Sequence, residues 1–202
     1  MLRFTLLLML SISAVAQTAE VSDSLLQFIA GKLKQNRHFT APFTQKRYMA
    51  MFEKPLISEG TINYLYPDNI RIEYVTPFES VILLTENSIN RYRIENGKYI
   101  KQPSLEIVAK AITKEIIRYV SGEFISNGPY RITSASGAER HFILTPTNAA
   151  VKAIFDRIEL FFPADPTYVQ KVKLVETSND SIVIEHEPPS FEPVPDSVFS
   201  IR

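Results

Sequence analysis

The chain contains no cysteine. Disulfides, thiol nucleophiles and thiolate metal sites are therefore excluded, and the fold has to be held together by burial. Histidine is scarce as well. His38, His141 and His186 are the three present, and they stand too far apart in sequence to form a metal-ligand spacing. Glu185-His186-Glu187 is the one local grouping that resembles a metal clip. In a strand, however, Glu185 and Glu187 share one face and His186 takes the other, the pattern of an ordinary strand end. Six glycines leave no phosphate-cradling loop and no dinucleotide fingerprint, and no Gly-x-Ser-x-Gly elbow occurs. Catalysis has no local signature, so a non-enzymatic protein with no cofactor is expected. Lys plus Arg (22) equals Asp plus Glu (22), so no global field draws the chain to nucleic acid. Beyond residue 16, no apolar run approaches the length of a membrane-spanning helix.

What is present is a globular composition, 45% hydrophobic and 22% charged over 202 residues, enough for one domain with a sizeable core. The first residues read as a secretory signal. Met1-Leu2-Arg3 supplies a positive start, "FTLLLMLSISAV" is an apolar stretch too short to span a bilayer, and Ala14-Val15-Ala16 is an A-x-A cleavage site. The expected organisation is a signal peptide over 1–16 and a single mature domain over 17–202. No cysteine follows the cleavage point, so no lipid anchor is expected there. A signal peptide this compact suits a bacterial envelope, so the periplasm is the expected location.

The mature chain opens with a helical pattern over Ser22–Gln35. Ser24 and Gln27 form a capping-box spacing, and Leu26, Ile29, Ala30 and Leu33 fall on one stripe. From Phe39 the period changes to two. "FTQKRYMAMF", "LISEGTINYLY", "NIRIEYV", "ESVILLT", "SINRYRI" and "KYIKQ" read as successive strands separated by turn residues, with Asn96-Gly97 the strongest hairpin signal. A helix over Ser104–Phe124 interrupts them, with Glu106, Lys110, Lys114 and Arg118 on a polar ridge opposite a broad apolar face. "YRITSA", "RHFILTP", "AIFDRIELFFP", "YVQKVKLVET" and "SIVIEHE" then resume the strand pattern, and a proline-rich tail ends in a possible short strand. About eleven antiparallel strands and two helices follow, and a sheet of that size curls strongly. Its concave face can be filled by helices.

Two strands raise a further question. "IRIEYV" places Ile70, Ile72 and Tyr74 on one side, and "SVILLT" is apolar on both, with Val81 and Leu83 opposite Ile82 and Leu84. Either these strands are central and covered on both faces, or the inner face is only partly filled and holds an apolar ligand beneath the second helix. Burial of each CH2 contributes about 0.8 kcal/mol, so acyl chains can be held with no catalytic group.

Phe43-Thr-Gln-Lys46, Gly60, Pro67 followed by Arg71-x-Glu-Tyr74, Thr76-Pro77 before an apolar strand, and a strand ending near Tyr92 occur in an order that resembles the periplasmic lipoprotein carriers of the LolA family. The order of helix, six strands, inserted helix and remaining strands extends the likeness to nearly all of the mature chain. The resemblance implies a mainly β (α+β) fold: an incomplete, strongly curved antiparallel β-barrel of about 11 strands with a helical lid. It implies an acylated lipoprotein or lipid as cargo, an inner-membrane transporter as donor, an outer-membrane acceptor, no cofactor, no nucleic acid and a monomeric carrier. Carried onto this sequence, the cleft residues are Phe43, Ile70, Ile72, Tyr74, Ile82 and Leu84, and the lid residues Ile112, Ile116 and Val120. Two positions depart from the family. Tyr66 stands where an arginine usually locks the lid, and Ile72 replaces a frequent aromatic. The "MFEKPLIS" segment is similar to LolA-like proteins of other cargo. Two rivals remain. A protein-binding scaffold would have a fully packed concave face and an apolar patch elsewhere. A hydrolase would bring a serine or carboxylate pair and a histidine together in a cleft.

Overall fold

The computed structural model describes residues 18–85, 88–103, 115, 117–124, 129–135 and 140–201. The signal segment, Ile112 and Ile116 lie outside these. The strands are β1 (Thr18–Glu20), β2 (His38–Tyr48), β3 (Leu56–Leu65), β4 (Asn69–Thr76), β5 (Ser80–Thr85), β6 (Ser88–Glu95), β7 (Lys98–Lys101), β8 (Tyr130–Ala135), β9 (His141–Pro146), β10 (Phe155–Phe161), β11 (Lys171–Glu176) and β12 (Ser181–His186). They form one antiparallel sheet in the order β1-β8-β9-β10-β11-β12-β2-β3-β4-β5-β6-β7. The sheet is open, with β1 and β7 at its two edges. Among the described residues the sheet has twelve strands, close to the about eleven expected. The additional one, β1, is three residues long and exists through its pairing with β8, a contact no local pattern announces.

Helix α1 (Asp23–Gln35) runs between β1 and β2. Its N-cap is Ser22, whose hydroxyl accepts from the Leu25 amide, so the cap falls two residues before the Ser24 expected from the capping-box spacing. Asp23 in the first turn and Lys32 and Lys34 in the last suit the helix dipole. Leu26, Ile29, Ala30 and Leu33 are the buried stripe. They join one core with Phe39, Ile62, Ile70, Ile72 and Leu84 from one half of the sheet and Phe142, Leu144, Ile158, Leu174 and Ile184 from the other. Strands far apart in the order meet around a single helix, so the sheet bends about it.

The connection from β7 to β8 leaves one edge of the sheet and returns beside the other. Its described helical residues, 117–121, carry Tyr119 and Val120 into the same core, and Phe124 follows them. Gly122 ends this helix at φ +73, the left-handed conformation that favours glycine. It lies against Leu33 and Ala30 of α1. The end of the inserted segment is thereby fixed on α1. A short helix, α2 (Ala149–Lys152), capped by Asn148, precedes β10 and was not foreseen.

The outer face divides in two. Along β9–β11 it is polar, with Glu159 hydrogen-bonded to both His141 and Arg157. Along β4–β6 it is apolar, and the C-terminal tail covers it. The tail closes in a 3-10 turn over Asp196–Phe199, not a strand. Phe199 packs with Val81 and Leu83, flanked by Tyr92, Tyr99 and Val198. Buried Arg71 clasps this lid on the outer side: it donates to Glu73 (2.8 Å), the Val198 carbonyl (3.3 Å) and the Tyr99 hydroxyl (3.1 Å). The second apolar face of "SVILLT" is therefore covered by the protein's own tail. Replacement Phe199→Ala is expected to lower stability by about 3 kcal/mol, the usual cost of deleting a buried phenyl ring, in urea unfolding, without loss of the sheet's circular dichroism signal.

Candidate functional site

The register assigns the inner-face rows directly. Phe39, Tyr64, Ile70, Leu84 and Ile89 stand side by side across β2 to β6. Ala41, Ile62, Ile72, Ile82 and Arg91 form the next row, and Phe43, Gly60, Tyr74 and Ser80 the one after. Phe43, Ile70, Ile72, Tyr74, Ile82 and Leu84 thus share one face of the sheet. Val120 of the inserted segment is buried in the same core.

Gly60 makes the third row possible. A Cβ there would lie 2.1 Å from the Glu73 carbonyl oxygen and 2.9 Å from the Phe43 ring. Without one, the Phe43 and Tyr74 rings meet edge to face at 5.3 Å across the gap. The bulge between Glu59 and Gly60 turns the strand at this point.

Among the described residues the deep part of this face is closely filled. Leu26, Ile29 and Leu33 from α1, and Tyr119, Val120 and Phe124 from the inserted segment, occupy it. Two small crevices remain. One of about 10 Å³ is bounded by Phe43, Gln45, Ile62, Ile72, Tyr74, Ile184 and His186. The other, about 20 Å³, lies beside Leu33, Phe39, Val120 and His186. Each has space for one water at most. Among the described residues, this face also opens at the end of the sheet into a groove of about 430 Å³ between the starts of β3 and β5 and the end of β4. Leu56, Ile57, Pro77 and Phe78 line its outer part, and Tyr74, Ile82 and Arg91 its inner part. Tyr74 also borders the smaller crevice, so groove and crevice adjoin. Apolar side chains stand exposed around this end: Met51 and Phe78 are each 78% accessible, with Phe52, Leu56, Ile57 and Val75 beside them.

Few polar groups enter. The Tyr74 hydroxyl donates to Gln45 Oε1 at 3.1 Å. Burial pushes it up to about 12, with the positive charge of Arg91 opposing. His186 Nδ1 lies 2.9 Å from the Val169 carbonyl, which can only accept, so Nδ1 carries the proton and Nε2 is left to the crevice side. Burial lowers the imidazole from its ordinary value, partly offset by that carbonyl. In the inserted segment, buried Glu115 lies near Tyr119 and Tyr130, and burial first, then this carboxylate, push both hydroxyls up. Glu185 pairs with Lys46 at 3.1 Å on the opposite face from His186. No group of three metal-ligating side chains occurs among the described residues.

Tyr66 is half-exposed, and its ring lies under the Arg37 guanidinium at 4.1 Å. Its amide donates to the Arg37 carbonyl. The described closure of the inserted segment rests instead on Tyr119, Val120, Phe124 and the Gly122 contact with α1. The Phe124 ring stacks on Phe162 at 6.2 Å. The sequence reading missed Arg91, Gln45, His186 and the exposed rim. Alternation of side chains in "SINRYRI" was the signal available for Arg91, since Tyr92 and Ile94 go to the outer cluster and Arg91 must go inward.

The family model described as outer membrane lipoprotein carrier protein LolA matches residues 34–202. No curated protein matches the chain. Among solved structures, the chain is similar to a DUF1329 family protein from Desulfovibrio piger, at 8% identity and a TM-score of 0.51, covering 90% of this chain and 98% of that one. A LolA superfamily protein from Nitrosomonas europaea aligns at 11% identity and a TM-score of 0.45 over 92% and 98% of the two chains. The MucA/MucB complex of Pseudomonas aeruginosa aligns at 14% identity and 0.40, over 89% of this chain and 60% of that one.

Two outcomes are expected from this geometry. Gly60→Ala should destabilise by about 3 kcal/mol, the upper range for overpacking, because backbone as well as the Phe43 ring must move. The His186 imidazole binds a proton less readily in the fold than in the unfolded chain, whose value is 6.5. Its contribution to stability is therefore full above that value and is lost as pH falls below it. Urea midpoints between pH 7 and pH 5 should fall more in the parent than in His186→Asn, whose amide can replace the Nδ1–H donor. An equal fall in both would contradict this role.

Proposed function

The chain belongs to the LolA family of outer membrane lipoprotein carrier proteins, and on that premise we propose that it carries the acyl chains of lipoproteins, or of a related acylated envelope lipid, between the inner and outer membranes. The observation that carries this reading is the continuity of one apolar face. It runs from the open groove, through Tyr74 and Ile82, to the core rows under α1 and the inserted segment. Those rows are covered by helical residues that belong to no strand. An entering acyl chain can take over their contacts, exchanging one apolar surface for another. At about 0.8 kcal/mol per buried CH2, two such chains contribute on the order of tens of kcal/mol before ordering and displaced contacts are subtracted. Phe43, Ile70, Ile72, Tyr74, Ile82 and Leu84 form the wall for the chains, and Val120, with Ile112 and Ile116, the lid.

Such a carrier is non-catalytic and works in the periplasm, after removal of residues 1–16. It receives cargo from an inner-membrane transporter and yields it to an outer-membrane acceptor. The exposed rim of Met51, Phe52 and Phe78 surrounds the entrance where such exchanges take place. The same rim also favours a second reading, a surface for a protein partner without acyl cargo.

Purification from the envelope after in-cell cross-linking, followed by organic extraction and mass spectrometry, separates the two. Acyl-bearing molecules should accompany the parent and fall at least about tenfold in Ile82→Glu, which sets a charge against the apolar wall. Recovery of unacylated proteins alone, with parent and variant equally loaded, would overturn the carrier reading in favour of the scaffold.

A further inference from the structure

Arg91 lies on the inner face, directly across from Ile82, and lines the groove at the end of the sheet with Leu56, Ile57, Tyr74 and Phe78. Among the described residues it is the one charged side chain of the lining, with no aspartate or glutamate beside it. Arg93, two residues on, is paired with Glu95 at 2.7 Å. The nearest acidic residue of β4, Glu73, is held by Arg71 on the outer face. Arg91 itself has no carboxylate within ion-pair distance among the described residues. The remaining polar groups of the groove are the hydroxyls of Ser58, Tyr74, Thr76 and Ser80.

Arg91 is solvent-exposed at the groove and makes no ion pair with a described residue, so its guanidinium is available to a ligand there. Its five donors suit a carboxylate or a phosphate oxygen pair. The surrounding side chains suit a hydrocarbon. We propose that the groove binds an acyl amphiphile whose head carries one negative charge, with Arg91 as the head-group ligand and Leu56, Ile57, Phe78 and Ile82 against the chain. This rests on the acyl-carrier reading and narrows it: the cargo recognised here is an anionic lipid rather than a neutral one. The solvent exposure of Arg91 makes the preference salt-dependent.

Equilibrium binding of radiolabelled oleate and of monoolein, which share the chain and differ in head charge, tests the assignment with the mature protein. The parent should bind oleate about tenfold more tightly than monoolein at low salt, a ratio of the size expected for one charge-assisted hydrogen-bonded pair, and the ratio should shrink in 0.5 M salt (about a threefold shorter screening length than at 0.05 M). Arg91→Gln should remove the preference, weakening oleate binding about tenfold more than monoolein binding, while Arg91→Lys should keep part of it. Equal affinity of the parent for both lipids, or a preference that survives Arg91→Gln, would overturn the role of Arg91 and leave the carrier reading standing. Binding of neither lipid would overturn both.

Discussion

The apolar inner face of an open twelve-stranded sheet has to be kept from water, and among the described residues no second sheet covers it. That constraint governs the rest of the molecule. Helix α1 covers part of the face with a four-residue stripe, and the segment from β7 to β8 covers another part with Tyr119, Val120 and Phe124. The chain leaves β7 at one edge of the sheet and re-enters at β8 near the other, and Tyr119, Val120 and Phe124 of this connection pack into the inner core.

The covers differ in how they are secured. Helix α1 is capped by Ser22 and joined by an ion pair between Lys32 and Asp165. The inserted segment is held through its C-terminal turn, where Gly122 approaches Leu33 and the Ala30 carbonyl. The outer face of β4–β6 is sealed independently by the tail and Arg71. Displacement of the inner cover therefore need not disturb the outer one. At the sheet's end, the apolar wall emerges into the groove, where Arg91 supplies the single charge among the described residues. The proposed carrier role rests on one apolar surface that the described residues of α1 and the inserted segment now cover.

Much of this was legible in the sequence. The alternation in "IRIEYV" and "SVILLT" assigned inner and outer residues, because a period of two leaves no choice once one face is known. The stripe of α1 was equally plain. What was not legible depended on distant partners. β1 has three residues and no pattern of its own. The tail reads as proline-rich with a possible last strand, and only the need of Val81 and Leu83 for cover shows that it packs as a 3-10 turn. The Ser24 capping box lost to Ser22 because the helix begins earlier than its apolar stripe. Tyr66 could be recognised as a departure, but its partner Arg37 could not. Among the described residues the deep face is filled by the protein's own side chains, and an open groove lies at the end of the sheet. Apolar volume of that kind is costly to leave empty, so side chains from the covering segments occupy it.

The central claim is that acyl chains replace the contacts made by the inserted segment on the inner face. Hydrogen exchange measured by mass spectrometry, on the mature protein with and without a saturating diacyl ligand, tests it most directly. The account predicts faster exchange for the amides of residues 117–124 in the loaded protein, while those of β3 and β4 stay protected. A ligand bound at full occupancy with the protection of residues 117–124 unchanged would contradict it.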